Sequence, residues 1–136
     1  MIYAVLDTNV LVSALLSKSA HSTISQLIAA VIEEKLIPVY NDEILKEYKE
    51  VLSRQKFHFL PELQKALVNF IKDKGFHADR IPYGELMLDE SDRVFYEVAL
   101  SKDKTFLVTG NLKHFPKTPI VVTPAEMLEI LLTISS

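Results

Sequence analysis

The chain has no cysteine, which excludes a disulfide framework and any thiolate metal site, zinc fingers included. A protein without disulfides fits a reducing cytoplasm. Only 3 glycines occur among 136 residues, and a composition that is 49% hydrophobic and 24% charged argues against disorder. No apolar run approaches the roughly 18 residues of a membrane span, and the first residues lack the basic start, apolar stretch and cleavage site of a signal peptide. A soluble, cytoplasmic protein is expected. An excess of positive charge is also missing: the formal net charge is −3 and the isoelectric point about 5.8. A nucleic-acid enzyme of this composition needs metal ions to neutralise its site, local basic residues, or a partner that completes the binding surface. With no repeat, linker or low-complexity run, residues 1–136 are expected to form one domain.

What is there begins with Ile2 to Val12, IYAVLDTNVLV. An apolar, β-favouring run ends on Asp7, and apolar residues resume after Thr8 and Asn9. In a buried parallel strand followed by a helix, Asp7 stands at the strand's carboxyl end, where open α/β sheets place their ligand crevices. It can equally serve as a helix N-cap. A short helix over Asn9–Leu16 follows, then a second, capped by Ser22 or Thr23 and ending near Glu34 or Lys35. Ile37 to Tyr40 is expected as a strand, with Pro38 suited to its start or to a sheet edge. Asn41 or Asp42 can cap a third helix with the stripe Ile44, Leu45, Tyr48, Val51 and Leu52. Glu47 lies on the flank of that stripe, able to reach the end of the sheet or to point along the rim to water. Pro61 starts a fourth helix that ends at Lys74-Gly75. A strand over Phe76–Ile81 precedes a Pro-Tyr-Gly turn.

In the later stretch LDESDRVFYEVALSKDKTFLVTGN, Ser91 can cap a helix with Asp92 in its first turn. Asp92 shares a face with Phe95, Tyr96 and Ala99, so it is directed to the core side, and an acid there needs a partner such as a metal ion. Thr105–Thr109 is expected as a buried strand that leaves Asn111 where Asp7 stands in the first unit. After a loop with two prolines come a strand over Ile120–Val122 and a last helix introduced by Thr123, Pro124 and Glu126. The order β-α-α-β-α-α-β-α-β-β-α indicates a mostly parallel sheet flanked by helices. Asp7, Asp92, Asn111 and Glu47 should then meet at one edge. Carboxylates a few ångströms apart raise one another's pKa unless a cation lies between them. Oxygen donors without cysteine or a paired histidine suit Mg²⁺ or Mn²⁺, which can activate water and stabilise charge on a phosphoryl group.

The segments DTNVLVSALLS, EILKEYKEVL, DESDRVFYEVAL and FLVTGNLKHFP, in this order and spacing, resemble the PIN-domain family, and within it the toxin components of prokaryotic toxin–antitoxin systems. The resemblance implies a three-layer α/β/α sandwich and a Mg²⁺- or Mn²⁺-dependent endoribonuclease. Asp7, Glu47 and Asp92 match the family's first three acids. The fourth family position holds Asn111, which brings an amide oxygen but no charge. Asp89 can compensate or be a solvated acid or cap. Thr8, Asn9 and Thr109 can orient water or phosphate, or be turn and cap residues. The mechanism expected is in-line hydrolysis of RNA that leaves a 5′-phosphate. Arg93, Lys113 and His114 lie near the site in sequence; Arg93 is read as a solvated side chain and His114 as a loop residue, and His21, His58 and His77 lack a pairing. The resemblance also implies an RNA substrate, an antitoxin protein partner and a homodimer. Two other readings stand beside it. One is a PIN-like binding module without catalysis, motivated by Asn111 and the acidic isoelectric point. The other is a phospho-acceptor receiver domain, disfavoured because Thr123-Pro124 follows the last strand where a lysine is wanted.

Overall fold

The computed structural model describes residues 1–135. Strands β1 (Ile2–Leu6), β2 (Leu36–Tyr40), β3 (Phe76–His77), β4 (Thr105–Val108) and β5 (Val121–Val122) form one sheet in the order β3-β2-β1-β4-β5. Every pairing is parallel. Helices α1 (Thr8–Leu16) and α2 (Thr23–Ile32) join β1 to β2, and α3 (Asp42–Leu52) and α4 (Pro61–Lys74) join β2 to β3. Helix α5 (Arg93–Ser101) leads to β4, and α6 (Pro124–Ser135) follows β5.

The three inner strands are apolar because both their faces are covered. Ala4, Val5 and Leu6 of β1, Leu36 and Val39 of β2, and Leu107 and Val108 of β4 are all buried. Two steps, β1 to β2 and β2 to β3, move outward in one direction. The next connection, through α5, returns across the sheet to β4 on the other side of β1. With right-handed crossovers, that reversal sets α5 on the face opposite α2. The packing agrees, since α5 lies on β1, β2 and β4, whereas α2 packs on β2 and α6. The three layers are therefore helix, sheet and helix. Between β1 and β4 lies the point where strand order reverses, and the crevice beyond their carboxyl ends is the one an open α/β sheet offers to ligands.

Local chemistry sets the element ends. Ser22 caps α2 by accepting from Ser25 N, and Asn41 caps α3 by accepting from Ile44 N at 2.8 Å. Helix α2 stops at Ile32, before the predicted Glu34 or Lys35, because Glu34 takes a left-handed conformation with φ of 62°. The phenol of Tyr48 donates to Leu6 O at 2.6 Å, tying α3 to the carboxyl end of β1. Full burial raises the pKa of Tyr48, so it stays a neutral donor.

The sheet departs from the sequence expectation at its margins. Strand β3 is two residues long rather than spanning Phe76–Ile81; both residues are exposed, and Ala78 N makes one further bond, to Tyr40 O, before the chain leaves. Strands β4 and β5 are each one residue shorter than expected. Pro38 lies inside β2, not at its start, but β3 pairs only with Val39 and Tyr40, so Pro38 has a strand neighbour on one side alone. That is where a residue without N–H is tolerated.

Gly75 ends α4 without the left-handed conformation expected of a helix-stop glycine: φ is −96° and ψ is 179°. Its need is spatial. A Cβ there would lie 2.4 Å from Ile71 O, 2.5 Å from Pro38 O and 2.9 Å from the Tyr40 ring. Two of those atoms are backbone and cannot yield without moving α4 off β2. Gly75→Ala is expected to destabilise the protein by about 1–3 kcal/mol, read as a lower urea midpoint at unchanged slope. An unaltered midpoint would show that the approach is relieved cheaply.

Candidate metal centre

Asp7 is the first residue past β1 and occupies the N-cap position of α1, yet its side chain makes no capping hydrogen bond. Only 5% of the residue is exposed. Its Oδ2 instead accepts a 2.8 Å hydrogen bond from Thr109 Oγ1, at the end of the neighbouring β4. Thr109 is fully buried, and its hydroxyl also accepts from Asn111 N at 3.0 Å. One hydroxyl thus joins the ends of two adjacent strands, giving its proton to Asp7 and its lone pair to the backbone that carries Asn111. Desolvation by burial pushes the Asp7 pKa from 3.8 up to about 6; the Thr109 bond opposes the rise, and the nearby Asp92 carboxylate adds to it.

Asp92 lies not in the first turn of α5 but at the end of a single 3-10 turn, Glu90–Asp92, that precedes it. The cap is Asp89 rather than Ser91: Asp89 Oδ1 accepts from Ser91 N at 3.0 Å and from Ser91 Oγ at 2.8 Å, which lowers its pKa. A short acid two residues before a backbone N–H is a turn-forming arrangement readable in Asp89-Glu90-Ser91. Below Asp92, Phe95, Tyr96 and Ala99 are buried, as their shared face requires, while the Asp92 side chain keeps 14% exposure. Burial raises its pKa, the His114 hydrogen bond opposes this, and the Asp89 charge adds to it.

His114 is the residue whose part the sequence reading missed. Its Nδ1 lies 3.0 Å from Asp92 Oδ2, and its Nε2 lies 3.1 Å from Asn111 Nδ2. With Nδ1 donating to the carboxylate, Nε2 is left to accept, and the Asn111 amide supplies the donor. An aspartate at position 111 could not donate to it. Asn111 is thus matched to His114. Asn111 and His114 flank and end a 3-10 turn, Leu112–His114, in which side chains three apart eclipse. The Asn-x-x-His spacing was the available signal.

The ligand atoms of Asp89, Asp92 and His114 lie within 4.8 Å of one another. Both His114 nitrogens are already engaged, so its role in this arrangement is to hold Asp92. Asp7 joins the group electrostatically through Asp92. Glu47 is half-buried on α3, one residue from the anchored Tyr48; its pKa is raised first by desolvation, then by Glu50, with Asp92 and Asp89 adding to the rise and Arg54 opposing it. Thr8 is buried at the start of α1, and its Oγ1 has no hydrogen-bond partner among the described residues. Asn9 is exposed on the first turn of α1, with no hydrogen bond to the acids among the described residues. Arg93 is not a solvated side chain: it donates to the Tyr83 carbonyl, to Glu85 O at 3.0 Å and to both oxygens of Glu90, bracing the loop that delivers Asp89 and Asp92. Glu97, buried on α5, accepts from Arg80 and from Tyr83 N and pins the other end of that loop.

Asp89 and Asp92 bring carboxylate oxygens close together, and the desolvated Asp7 carboxylate, outside that group of three, interacts with Asp92 from the end of β1; oxygen donors of this kind fit a hard divalent ion. Thr109 and His114 each hold one oxygen of an acid, leaving Asp7 Oδ1 and Asp92 Oδ1 free of these bonds.

Compared with known sequences, residues 3–113 match the family model described as PIN domain. No curated protein and no solved structure matches the chain. The family's fold is of the nuclease type, works with divalent ions and implies a nucleic-acid substrate. Among the described residues, no helix is long and apolar enough to cross a membrane.

The raised pKa of Asp7 has a consequence for stability. An acid whose folded value, about 6, exceeds its unfolded value of 3.8 costs nothing below 3.8 and its full amount above 6. In metal-free protein, Asp7→Asn is therefore expected to raise stability above pH 6 by about 2–3 kcal/mol, with the gain fading to nothing as pH falls to 3.8. Urea unfolding in chelator at several pH values tests this; destabilisation at pH 7.5 would mean that the carboxylate serves as a structural anchor.

Proposed function

The chain belongs to the PIN-domain family, and from that membership we propose that it is an endoribonuclease that hydrolyses RNA phosphodiester bonds with Mg²⁺ or Mn²⁺. The observation that carries the reading is the buried Asp7 carboxylate, pushed up to about pKa 6 beside a second carboxylate, Asp92. A site that keeps two acids in this state is stabilised by a cation, and Asp7 and Asp92 are the residues that would hold it, with Asp89 at the exposed side. When bound, the ion supplies positive charge for the phosphoryl oxygens and acidifies water.

The chain's own residues do the remainder. Thr109 and His114 fix the two carboxylates, so that each presents one oxygen inward. Glu47, kept at the rim by the Tyr48 anchor, orients the attacking water and accepts its proton, a task that its raised pKa suits. Water attacks phosphorus in line, the ribose 3′-oxygen leaves, and the product retains a 5′-phosphate. Asn111 holds His114 and keeps an amide oxygen available to water or phosphate, while Thr8 and Asn9 line the start of α1. The resemblance to toxin components extends the reading to a cytoplasmic toxin held in check by an antitoxin protein, and to a homodimer of single-domain chains. Ile32 of α2 and Leu132 and Ile134 of α6, all exposed on two helices that pack together, supply apolar surface for such contacts.

Asn111, which brings no charge, favours a second reading: a PIN-like binding module without catalysis. Manganese titration by calorimetry and cleavage of mixed single-stranded and structured RNAs separate the two. The nuclease predicts cleavage that chelator abolishes and that Asp7→Asn or Asp92→Asn lowers by roughly 100-fold or more, since even groups that only support a ligand are worth about 10–100-fold. RNA left intact by the metal-loaded wild type would sink the nuclease and leave the module.

A further inference from the structure

The loop between β4 and β5 has two sides. One carries His114 to Asp92. The other borders a groove of about 420 Å³ whose walls are Leu112, Phe115, Pro116 and Val121 and whose charged groups are Lys113 and Lys117. No carboxylate lines it, and neither lysine has an acidic partner among the described ion pairs. Leu112 is 44% exposed, a large apolar side chain left in water at the lip. On the α3 side of the centre the charge is opposite: that groove carries Glu43, Glu47, Glu50 and Glu90 against Lys46 and Arg80. A polyanion approaching the metal centre is repelled along the α3 flank and attracted along the β5 flank.

We propose that the groove beside β5 is a nucleotide subsite adjoining the metal centre, in which an unpaired base of the RNA lies against Leu112, Pro116 and Val121 while the adjoining phosphates pair with Lys113 and Lys117. This deepens the ribonuclease reading and rests on it. A base has two apolar faces and a phosphodiester on either side, and the groove combines an apolar wall with two cations. The base must be unpaired, because stacked in a duplex it has no free face for the wall. Continuity decides for nucleic acid over a peptide. Lys113 is adjacent to His114, so a strand leaving the groove runs directly onto Asp92, and a phosphodiester chain suits both the lysines and a cation held by the acids.

Binding and chemistry are tested apart. Anisotropy of a labelled single-stranded RNA of eight nucleotides, in Ca²⁺ so that the probe is not cut, reports binding; hydrolysis of the small diester bis(4-nitrophenyl) phosphate in Mn²⁺ reports chemistry. Lys113→Glu with Lys117→Glu is expected to weaken RNA binding by roughly tenfold or more and to reduce the salt slope by about 1.4, the loss of two phosphate contacts on a single strand. Leu112→Ser, an exposed position, should weaken binding to intact RNA but not to RNA with abasic sites. Hydrolysis of the small diester and the urea midpoint should stay as in the wild type. Displacement of the probe by polyuridine and not by polyglutamate is expected. Equal RNA affinity and salt slope in the double variant, no RNA binding by the wild type, or displacement by polyglutamate alone overturns the subsite. Binding that the lysine changes weaken, in a protein that cleaves neither RNA nor the small diester, upholds the subsite and overturns the ribonuclease.

Discussion

A carboxylate placed where water cannot solvate it, and steadied by one hydroxyl, is the constraint on which the rest of this structure depends. The Thr109–Asp7 hydrogen bond spans the two strands on either side of the sheet's reversal point. It needs β1 and β4 in register, which in turn needs the apolar residues of both strands covered on two faces. It leaves Asp7 only partly compensated, since this bond and the backbone N–H of Thr8 do not offset the loss of water around a full charge. The fold therefore carries a local deficit at the point where a cation would be most strongly held. Sites of this kind lower stability and raise ligand affinity through the same interaction.

Around that deficit the structure sets a threonine, an asparagine and a histidine, not lysine or arginine, to keep the acids in place. Thr109 and the Asn111–His114 pair hold carboxylate oxygens by hydrogen bonds rather than by salt bridges with lysine or arginine. Arginines are close by, but Arg93 is spent on Glu90 and two backbone carbonyls, and Arg80 on Glu43 and Glu97. Each is a strong, bidentate partner that would have competed with a metal ion for Asp92. Their engagement within the 80–93 loop and its neighbours keeps them off Asp92 and leaves the centre anionic.

How much of this was legible follows from the physics of each element. The parallel sheet and the flanking helices were legible because apolar runs and their punctuation encode them locally; the expected element order is the observed one. Asp7, Asp92 and Asn111 stood out because they interrupt or follow apolar runs at element ends. Residues set by tertiary geometry were not readable in the same way. Strand β3 ends early because the chain past Ala78 leaves β2 for α5, where Arg80 and Ile81 N bond to Glu97, a contact between segments distant in sequence. Arg93 looked solvated because its partners, Tyr83 and Glu85, lie in a loop without periodicity. Glu97 carried no signal at all, being one acid on an apolar helix face whose cation, Arg80, enters from another segment. His114 was within reach through its three-residue spacing from Asn111, had the turn between them been recognised as 3-10.

The bond that joins the two halves of the centre closes between residues 102 positions apart. Such a contact costs loop-closure entropy that only a nearly complete sheet can offset, so it stands or falls with the central strand pair. Local fraying of α4 or β3 leaves it intact, whereas separation of β1 from β4 abolishes it along with the fold. A chain still emerging in synthesis holds Asp7 long before it holds Thr109, so the anionic centre comes into being only once most of the polypeptide has been made, and until then the same aspartate is an ordinary, fully hydrated acid.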